Sequence, residues 1–388
     1  MKAGLVLFNL DPSKGGTEGY AYQLSRHLAD LGHEPHIFAH SFVAQAPWAT
    51  FHKVPLLINA RTVRDWIFAR SAHQLMMRLG VDVSLSFGRT YSADVYMPTG
   101  GVHRAWCERE LQSIPNGPLR MVKKVLRRIS PRHHIILSME RAQIQRAAGS
   151  VVVAISPLVK EDIMHWYNPP AERVVIIRNG VDLERFQPRL RDTLRYPVRA
   201  RHGLPQDGLV ILFVAHNFRL KGLRSLIRAI GKLRRDHPGR KFGALIVGGG
   251  NADPYRRLGH KEGCLDSLVF TGSTEQVEQY YAAADVFVLP TFYDACSLVC
   301  LEAMASGLPL ITSHYSGVRD LVVEGVNGFA VAPDDTDAIC RGLEVMFDDE
   351  RRAAASRAAR TVAEQYPIEK RLQEVIETMC SIVRSSRR

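Results

Sequence analysis

An α/β fold of two doubly wound domains is predicted for this chain, on three observations. Short apolar runs alternate with helical patterns along nearly the whole length, as parallel βαβ units require. The alternation pauses once, in an Arg- and Pro-rich stretch, and then restarts. A length of 388 residues exceeds one ordinary core and suits two. With 46% hydrophobic and 23% charged residues, the composition excludes a disordered chain.

In the first half, strands are expected near Ala3–Asn9, Glu34–His40, Val81–Ser86, Ala93–Met97, Val151–Ile155 and Val174–Ile177. Helical patterns fall between them, notably Thr17–Leu31 and Thr62–Leu79. The second half restarts with Leu209–Ala215, Phe242–Val247, Leu268–Thr271, Asp285–Pro290, Pro309–Thr312 and Phe329–Val331. Runs such as Asp285-Val-Phe-Val-Leu-Pro290 suit strands buried on both faces. The division reads as a first domain over 1–181, a connection over 182–205 and a second domain over 206–367. An amphipathic helical segment, Ile368–Val383, follows, and the Arg-rich tail Arg384–Arg388 is expected to fray.

Net charge is +12 and unevenly spread. From Arg120 to Arg146 eight Lys or Arg stand against one acid, Glu140, with apolar residues interleaved. This basic, apolar-striped segment, 119–146, reads as a face for an anionic membrane, or as a surface helix with solvated charges. No nucleic-acid motif accompanies the charge, so nucleic acid is not expected as a partner. Six cysteines are scattered without a C-x-x-C pair, which points to a reducing cytosol. Cys296 and Cys300 are read as sharing a helix face in packing. No stretch approaches the ~20 apolar residues of a membrane span, so a soluble or peripheral protein is expected.

Three loops carry candidate chemistry. After the first strand, Gly15-Gly16-Thr17 opens a helix, so that backbone N–H groups can approach an anion at the positive end of its dipole. It is not a G-x-G-x-x-G fingerprint, which argues against a dinucleotide enzyme. After the first strand of the second half comes His216-Asn217-Phe-Arg219-Leu-Lys221-Gly222, rich in cations. After Asp285–Pro290, Asp294 sits in a βα loop; a helix opens at Ser297-Leu298-Val299, and Glu302 lies about one and a half turns into it. Two carboxylates are thereby fixed at the mouth and wall of one crevice, where open α/β sheets bind ligands.

The Asp294-x7-Glu302 arrangement resembles the Glu-x7-Glu signature of the retaining, nucleotide-sugar-dependent glycosyltransferases of family 4. Their GT-B fold has two Rossmann-like domains facing across a cleft, with a terminal helix crossing back onto the first; here 368–385 would do so. Further motifs agree in order: Ile177-Arg-Asn179-Gly180-Val181-Asp182, then Gly317, Asp320-Leu321-Val322 and Asn327-Gly328-Phe329. The resemblance implies that Asp294 contacts hydroxyls of the transferred sugar and that Glu302 holds the ribose. Gly15, Gly16 and Thr17 would lie over the donor diphosphate and sugar, and Ser297, Leu298 and Val299 would offer amides to the phosphates. Lys221 matches the family's clamping Lys. The usual Arg position holds His216, so Arg219 is taken as the second cation, with His216 as a lesser donor. His103, in the loop after Met97, matches a His near the reacting sugar, and is otherwise an ordinary polar loop residue.

No metal site is expected. The one D-x-D, Asp335-Thr336-Asp337, reads as a helix start. No cofactor is implied beyond the donor substrate, taken as UDP-glucose. The resemblance is closest to glucosyltransferases of lipopolysaccharide core assembly. It implies retaining transfer of a hexose to a hydroxyl of a lipid-linked or lipopolysaccharide-core acceptor, on the cytoplasmic leaflet of the inner membrane. Another family-4 specificity, mannosyl or N-acetylhexosaminyl, is the alternative within the class. A nucleotide-sugar epimerase and a noncatalytic basic lipid-binding protein are the alternatives outside it.

Overall fold

The computed structural model describes residues 1–12, 16–43, 45–56, 58, 60, 62–88, 90–146 and 150–386. They divide into two compact units. Met1–Leu111, Pro115–Asn179 and Glu369 onward form unit 1; Gln112–Ile114 and Gly180–Ile368 form unit 2.

Unit 1 is built on β1 (Lys2–Val6), β2 (Asn9–Leu10), β3 (Glu34–Ala39), β4 (Ser41–Phe42), β5 (Thr50–Lys53), β6 (Val83–Ser86), β7 (Val95–Tyr96), β8 (Val151–Ala154) and β9 (Val174–Ile176). Seven of these make one parallel sheet in the order β5-β3-β1-β6-β7-β8-β9, and β2 pairs with β4 beside it. Ala3, Leu5 and Val6 of β1 are fully buried, as a strand covered on both faces demands. Helices α1 (Gly16–Asp30), α2 (Arg64–Leu79), α3 (His103–Gln112), α4 (Pro118–Ile129), α5 (Pro131–Ile144) and α6 (Pro157–Tyr167) cover it. Local chemistry sets their ends. Ser156 Oγ accepts from Val159 N ahead of Pro157, and α6 stops at Asn168, whose φ of 43° is left-handed.

Two expectations shift here. The strand read as Ala93–Met97 shortens to β7, because the Asp94 carboxylate turns to accept from the Ser84 N–H at 2.9 Å and its hydroxyl at 2.7 Å. The basic segment is two helices, not one stripe: Ser130 ends α4 and caps α5, which begins at Pro131.

Unit 2 contains α7 (Arg191–Arg201), β10 (Leu209–Val214), α8 (Leu223–Asp236), β11 (Phe242–Val247), α9 (Asp253–Lys261), β12 (Leu268–Gly272), α10 (Glu278–Ala283), β13 (Val286–Leu289), α11 (Leu298–Ala305), β14 (Leu310–Ser313), β15 (Gly328–Val331), α12 (Thr336–Val345) and α13 (Asp349–Ala363). Its six-stranded sheet runs β12-β11-β10-β13-β14-β15, with all neighbours parallel. The final helix, α14 (Ile368–Ser386), groups with unit 1, where Cys380 Sγ lies 3.9 Å from His33 Nε2.

The segment 182–205, read as a connection, folds as part of unit 2 and carries α7. Arg191, Arg195 and Arg199 recur every fourth residue and so share one helix face. All three converge on Asp285 just before β13, at 3.0, 2.8 and 2.6 Å. Asp335 starts α12 as read, its side chain accepting from Ala338 N at 2.8 Å. Cys296 lies ahead of α11, not within it, so it shares no helix face with Cys300; both are buried.

Candidate functional site

In unit 2 the strand order reverses between β10 and β13, and the loops leaving their carboxyl ends flank that switch point. The β10 loop runs from Ala215 to Gly222. Asn217 folds it into a turn, its side-chain oxygen accepting from Leu220 N at 3.2 Å and its carbonyl from Lys221 N at 3.0 Å. Gly222 then starts α8 at φ 79°, with its backbone against β13: an added Cβ would stand 2.0 Å from the Pro290 carbonyl oxygen. Only glycine permits that approach. It delivers Lys221 to the β13 loop, where Lys221 Nζ lies 2.6 Å from Asp294 Oδ2 and 3.4 Å from the Tyr293 carbonyl.

Asp294 is pinned through its own backbone. Its N–H donates to the Tyr315 carbonyl at 3.0 Å, and its carbonyl accepts from Gly317 N at 2.7 Å. The Gly317 of the downstream sequence block therefore positions Asp294. Of the other cations read into this loop, His216 and Arg219 are both exposed. They share the loop with Lys221.

Ser297 is the N-cap of α11, yet its side chain makes no capping bond. Its hydroxyl is buried without a nitrogen or oxygen partner among the described residues. The amides of Leu298 and Val299 lie in the first turn, where an α-helix leaves its N–H groups unsatisfied. Further along, Glu302 Oε2 accepts from Tyr281 OH at 2.8 Å, and the same hydroxyl lies 3.2 Å from the Val299 carbonyl. Burial raises the Glu302 carboxyl above the usual range, and the Tyr281 hydrogen bond and Arg185 offset only part of that rise.

The sequence reading missed the loop after β11. Gly248 has φ 141°, and a Cβ there would fall 1.8 Å from the Ala215 carbonyl oxygen; at Gly250 one would meet the Phe218 ring at 2.7 Å. The glycine run at 248–250 therefore lays this loop on the base of the His216–Arg219 turn. Three glycines directly after a strand were the available signal.

Unit 1 has its own switch point between β1 and β6. A cavity of about 540 Å³ opens there, lined in part by Thr17, Glu18, Asp65, His103 and Glu140. Gly15 lies outside the described residues. Gly16 begins α1 at φ 58°, and Thr17 Oγ1 donates to Thr99 Oγ1 at 2.7 Å. His103 starts α3, its ring stacked on Trp106 with centroids 5.7 Å apart. Its backbone N–H donates to Glu140 Oε1 at 2.7 Å.

Glu140 is buried and also accepts from Tyr167 OH, whose own pKa is pushed far up by burial and by that carboxylate. The sequence marked Glu140 as the lone acid in a basic stretch but gave it no role. It anchors the turn that presents His103 to the cavity.

The basic segment splits by function. Glu110, buried, takes Lys123 at 2.5 Å and Arg127 at 2.8 Å, and Arg132 reaches Asp65 at 3.3 Å. Those cations are structural. On α4, Lys124 and Arg128 stay exposed, beside Leu119 at 70% exposure, Leu126 at 58% and Ile129 at 66%. No helix among the described residues is long and apolar enough to cross a membrane.

Residues 14–185 match the family model described as Glycosyltransferase Family 4, and residues 197–362 that described as Glycosyl transferases group 1. An uncharacterised glycosyltransferase of Methanocaldococcus jannaschii is 30% identical over 220 residues, covering 55% of this chain and 56% of the relative. The chain spans about half the length of the first curated relatives it matches. Among solved structures, WaaG, a glycosyltransferase involved in lipopolysaccharide biosynthesis, superposes with a TM-score of 0.82 at 20% identity, covering 97% of this chain and 99% of its own. Anabaena HepE, solved with UDP and glucose, gives 0.67 at 18% identity over 98% and 100%. At these identities the two structures speak for the fold.

Proposed function

Since the chain belongs to the GT-B glycosyltransferases of the family 4 type, we propose that it moves a hexose from a nucleoside diphosphate sugar, UDP-glucose, to a hydroxyl of a membrane-linked glycan with retention at the anomeric carbon. The observation that carries this reading is the Lys221–Asp294 pair, 2.6 Å apart at the unit 2 switch point, with Glu302 on the adjoining helix. A donor needs three things there, and each has a named group. Growing negative charge on the departing diphosphate is met by Lys221, by Arg219 and by the amides of Leu298 and Val299. Ser297 brings a buried hydroxyl with no nitrogen or oxygen hydrogen-bond partner among the described residues. Glu302 would accept from ribose hydroxyls, and Asp294 from sugar hydroxyls once Lys221 turns to phosphate.

Two cations and a helix start supply the positive charge that a divalent ion supplies elsewhere, so the transfer is proposed to run without one. No carboxylate is assigned as nucleophile; the departing phosphate would take the acceptor proton. His103 would hydrogen-bond to the sugar or acceptor in the unit 1 cavity. The HepE structure, which holds UDP and glucose, supports the donor, and WaaG's place in lipopolysaccharide biosynthesis supports the acceptor. Thermal unfolding with UDP, ADP and GDP tests the reading. UDP is expected to raise the melting temperature most; a set of nucleotides that all leave it unchanged would overturn the enzyme. Product anomeric configuration, read by NMR after turnover on a lipid-core acceptor, tests retention.

Membrane docking is proposed through α4, whose apolar residues face solvent beside the exposed Lys124 and Arg128. A juxtamembrane Lys or Arg is worth about 1 kcal/mol on an anionic surface. Lys124→Ala and Arg128→Ala are each expected to weaken binding to phosphatidylglycerol vesicles roughly fivefold at low salt. Lys123 and Arg127 are poor choices for this measurement, because changing them strands the buried Glu110. Undiminished vesicle binding by the Lys124–Arg128 double variant would remove α4 from the docking face.

A further inference from the structure

We propose that His103, Cys107 and His133 form a binding site for a zinc-class divalent ion, with a fourth coordination position left open. One ligand atom from each lies within 4.8 Å of the other two. Cys107 Sγ stands 3.5 Å from His103 Nε2 and 3.9 Å from His133 Nδ1. A tetrahedral ion with bonds of about 2.3 Å to sulfur and about 2.05 Å to nitrogen would set sulfur and nitrogen roughly 3.6 Å apart. The spacing is therefore close to that of an occupied site before any ion enters.

Local sequence builds the triad. His103 and Cys107 are one helical turn apart on α3 and project from the same face. His133 is delivered from α5 by the Ser130 cap and Pro131, which fix where that helix starts. Stacking on Trp106 orients the His103 ring, and Arg127 holds the Cys107 carbonyl at 2.5 Å. Two imidazoles and a thiol select zinc, cobalt or copper over magnesium or calcium, which require oxygen ligands. Cys107 is buried, while His103 lines the unit 1 cavity. Arg127 and Arg104 set positive charge near the His133 ring. The two arginines also oppose a dication, which sets the affinity below that of a closed four-ligand structural site.

An ion held here engages His103 Nε2 and ties down the ring that would contact substrate. Resting on the transfer reading, zinc is accordingly an inhibitor whose action passes through Cys107 and His133, residues with no role in donor binding.

The test is cobalt(II) titration of the full chain after chelator treatment and dialysis, without donor or acceptor. One cobalt per chain is expected, with visible d–d bands and a near-ultraviolet thiolate-to-cobalt charge-transfer band. Cys107→Ser is expected to abolish the charge-transfer band, and His133→Gln to weaken cobalt binding more than about tenfold. Cys340→Ser is the control, because Cys340 groups with Asp236 and Glu344 in the other candidate cluster among the described residues. It is expected to leave the spectrum unchanged. Absence of the band, its survival in Cys107→Ser, or its loss in Cys340→Ser would each overturn the site. Metal-free melting curves verify that the variants fold; if Cys107→Ser does not, His103→Gln takes its place. Because the spectrum needs no turnover, a failed transferase reading leaves this result standing, and the reverse.

Discussion

Asp285→Asn is expected to remove about 3–5 kcal/mol from unit 2, the cost of breaking a buried ion pair from one side. Asp285 is about 2% exposed, and Arg199 is fully buried. Oδ2 receives Arg199 at 2.6 Å and Val210 N at 2.8 Å; Oδ1 receives Arg191 at 3.0 Å, and Arg195 Nη1 stands 2.8 Å away as an ion partner. Asparagine keeps one acceptor and turns an NH2 toward guanidinium donors. The fall in melting temperature should be roughly 6–20 °C for a unit of this size. Burial alone would raise the Asp285 pKa, but the three guanidiniums and the Val210 amide outweigh it and hold it below the usual value. Its contribution is therefore complete above the unfolded value near ~4 and disappears as pH falls through the lower folded value. Calorimetry across that range should show wild type losing its advantage over Asp285→Asn in acid. A variant that melts within a degree of wild type at neutral pH would show that α7 docks without this carboxylate.

Glu302→Gln should separate binding from stability. The folded-state pKa of Glu302 is raised, so its ionised form is disfavoured by folding. That penalty grows as pH rises from the unfolded value through the folded one, and glutamine abolishes it while still accepting from Tyr281. Melting temperature should hold or rise. Affinity for UDP should fall by roughly 2–3 kcal/mol, about 30- to 150-fold, since hydrogen bonds from ribose hydroxyls to a carboxylate lose their charge assistance. For the same reason UDP binding by wild type should weaken in acid once Glu302 takes a proton. Calorimetric titration with UDP reads both effects. Unchanged affinity together with a lower melting temperature would make Glu302 a packing residue.

The sequence was most legible where burial is complete. Leu209–Ala215 and Phe242–Val247 were read from uninterrupted apolar runs, and they return almost unaltered as β10 and β11. It was least legible where structure rests on single polar contacts. The edge strand β5 mixes His52 and Lys53 with Phe51, and no periodicity marks it. Helix α7 hid in a segment taken as linker, although its every-fourth arginines were visible; what they paired with was not. Asp294 and Glu302 could be related in the sequence because one loop–helix unit carries both; that Lys221, from the loop after β10, meets Asp294 could not. Glu140 beneath His103, and the convergence of His103, Cys107 and His133, join residues from separate helices. No local pattern announces such meetings.

Helix α14 buries Leu372, Val375, Ile376 and Met379, yet it groups with the unit that begins at Met1. During synthesis the amino-terminal lobe therefore leaves the ribosome missing part of its own core. It cannot reach final packing until residues 369–386 emerge, whereas the lobe inserted between them has by then been fully delivered. A nonsense change just before Glu369 should spare the later-made lobe and leave the earlier one a client for chaperones.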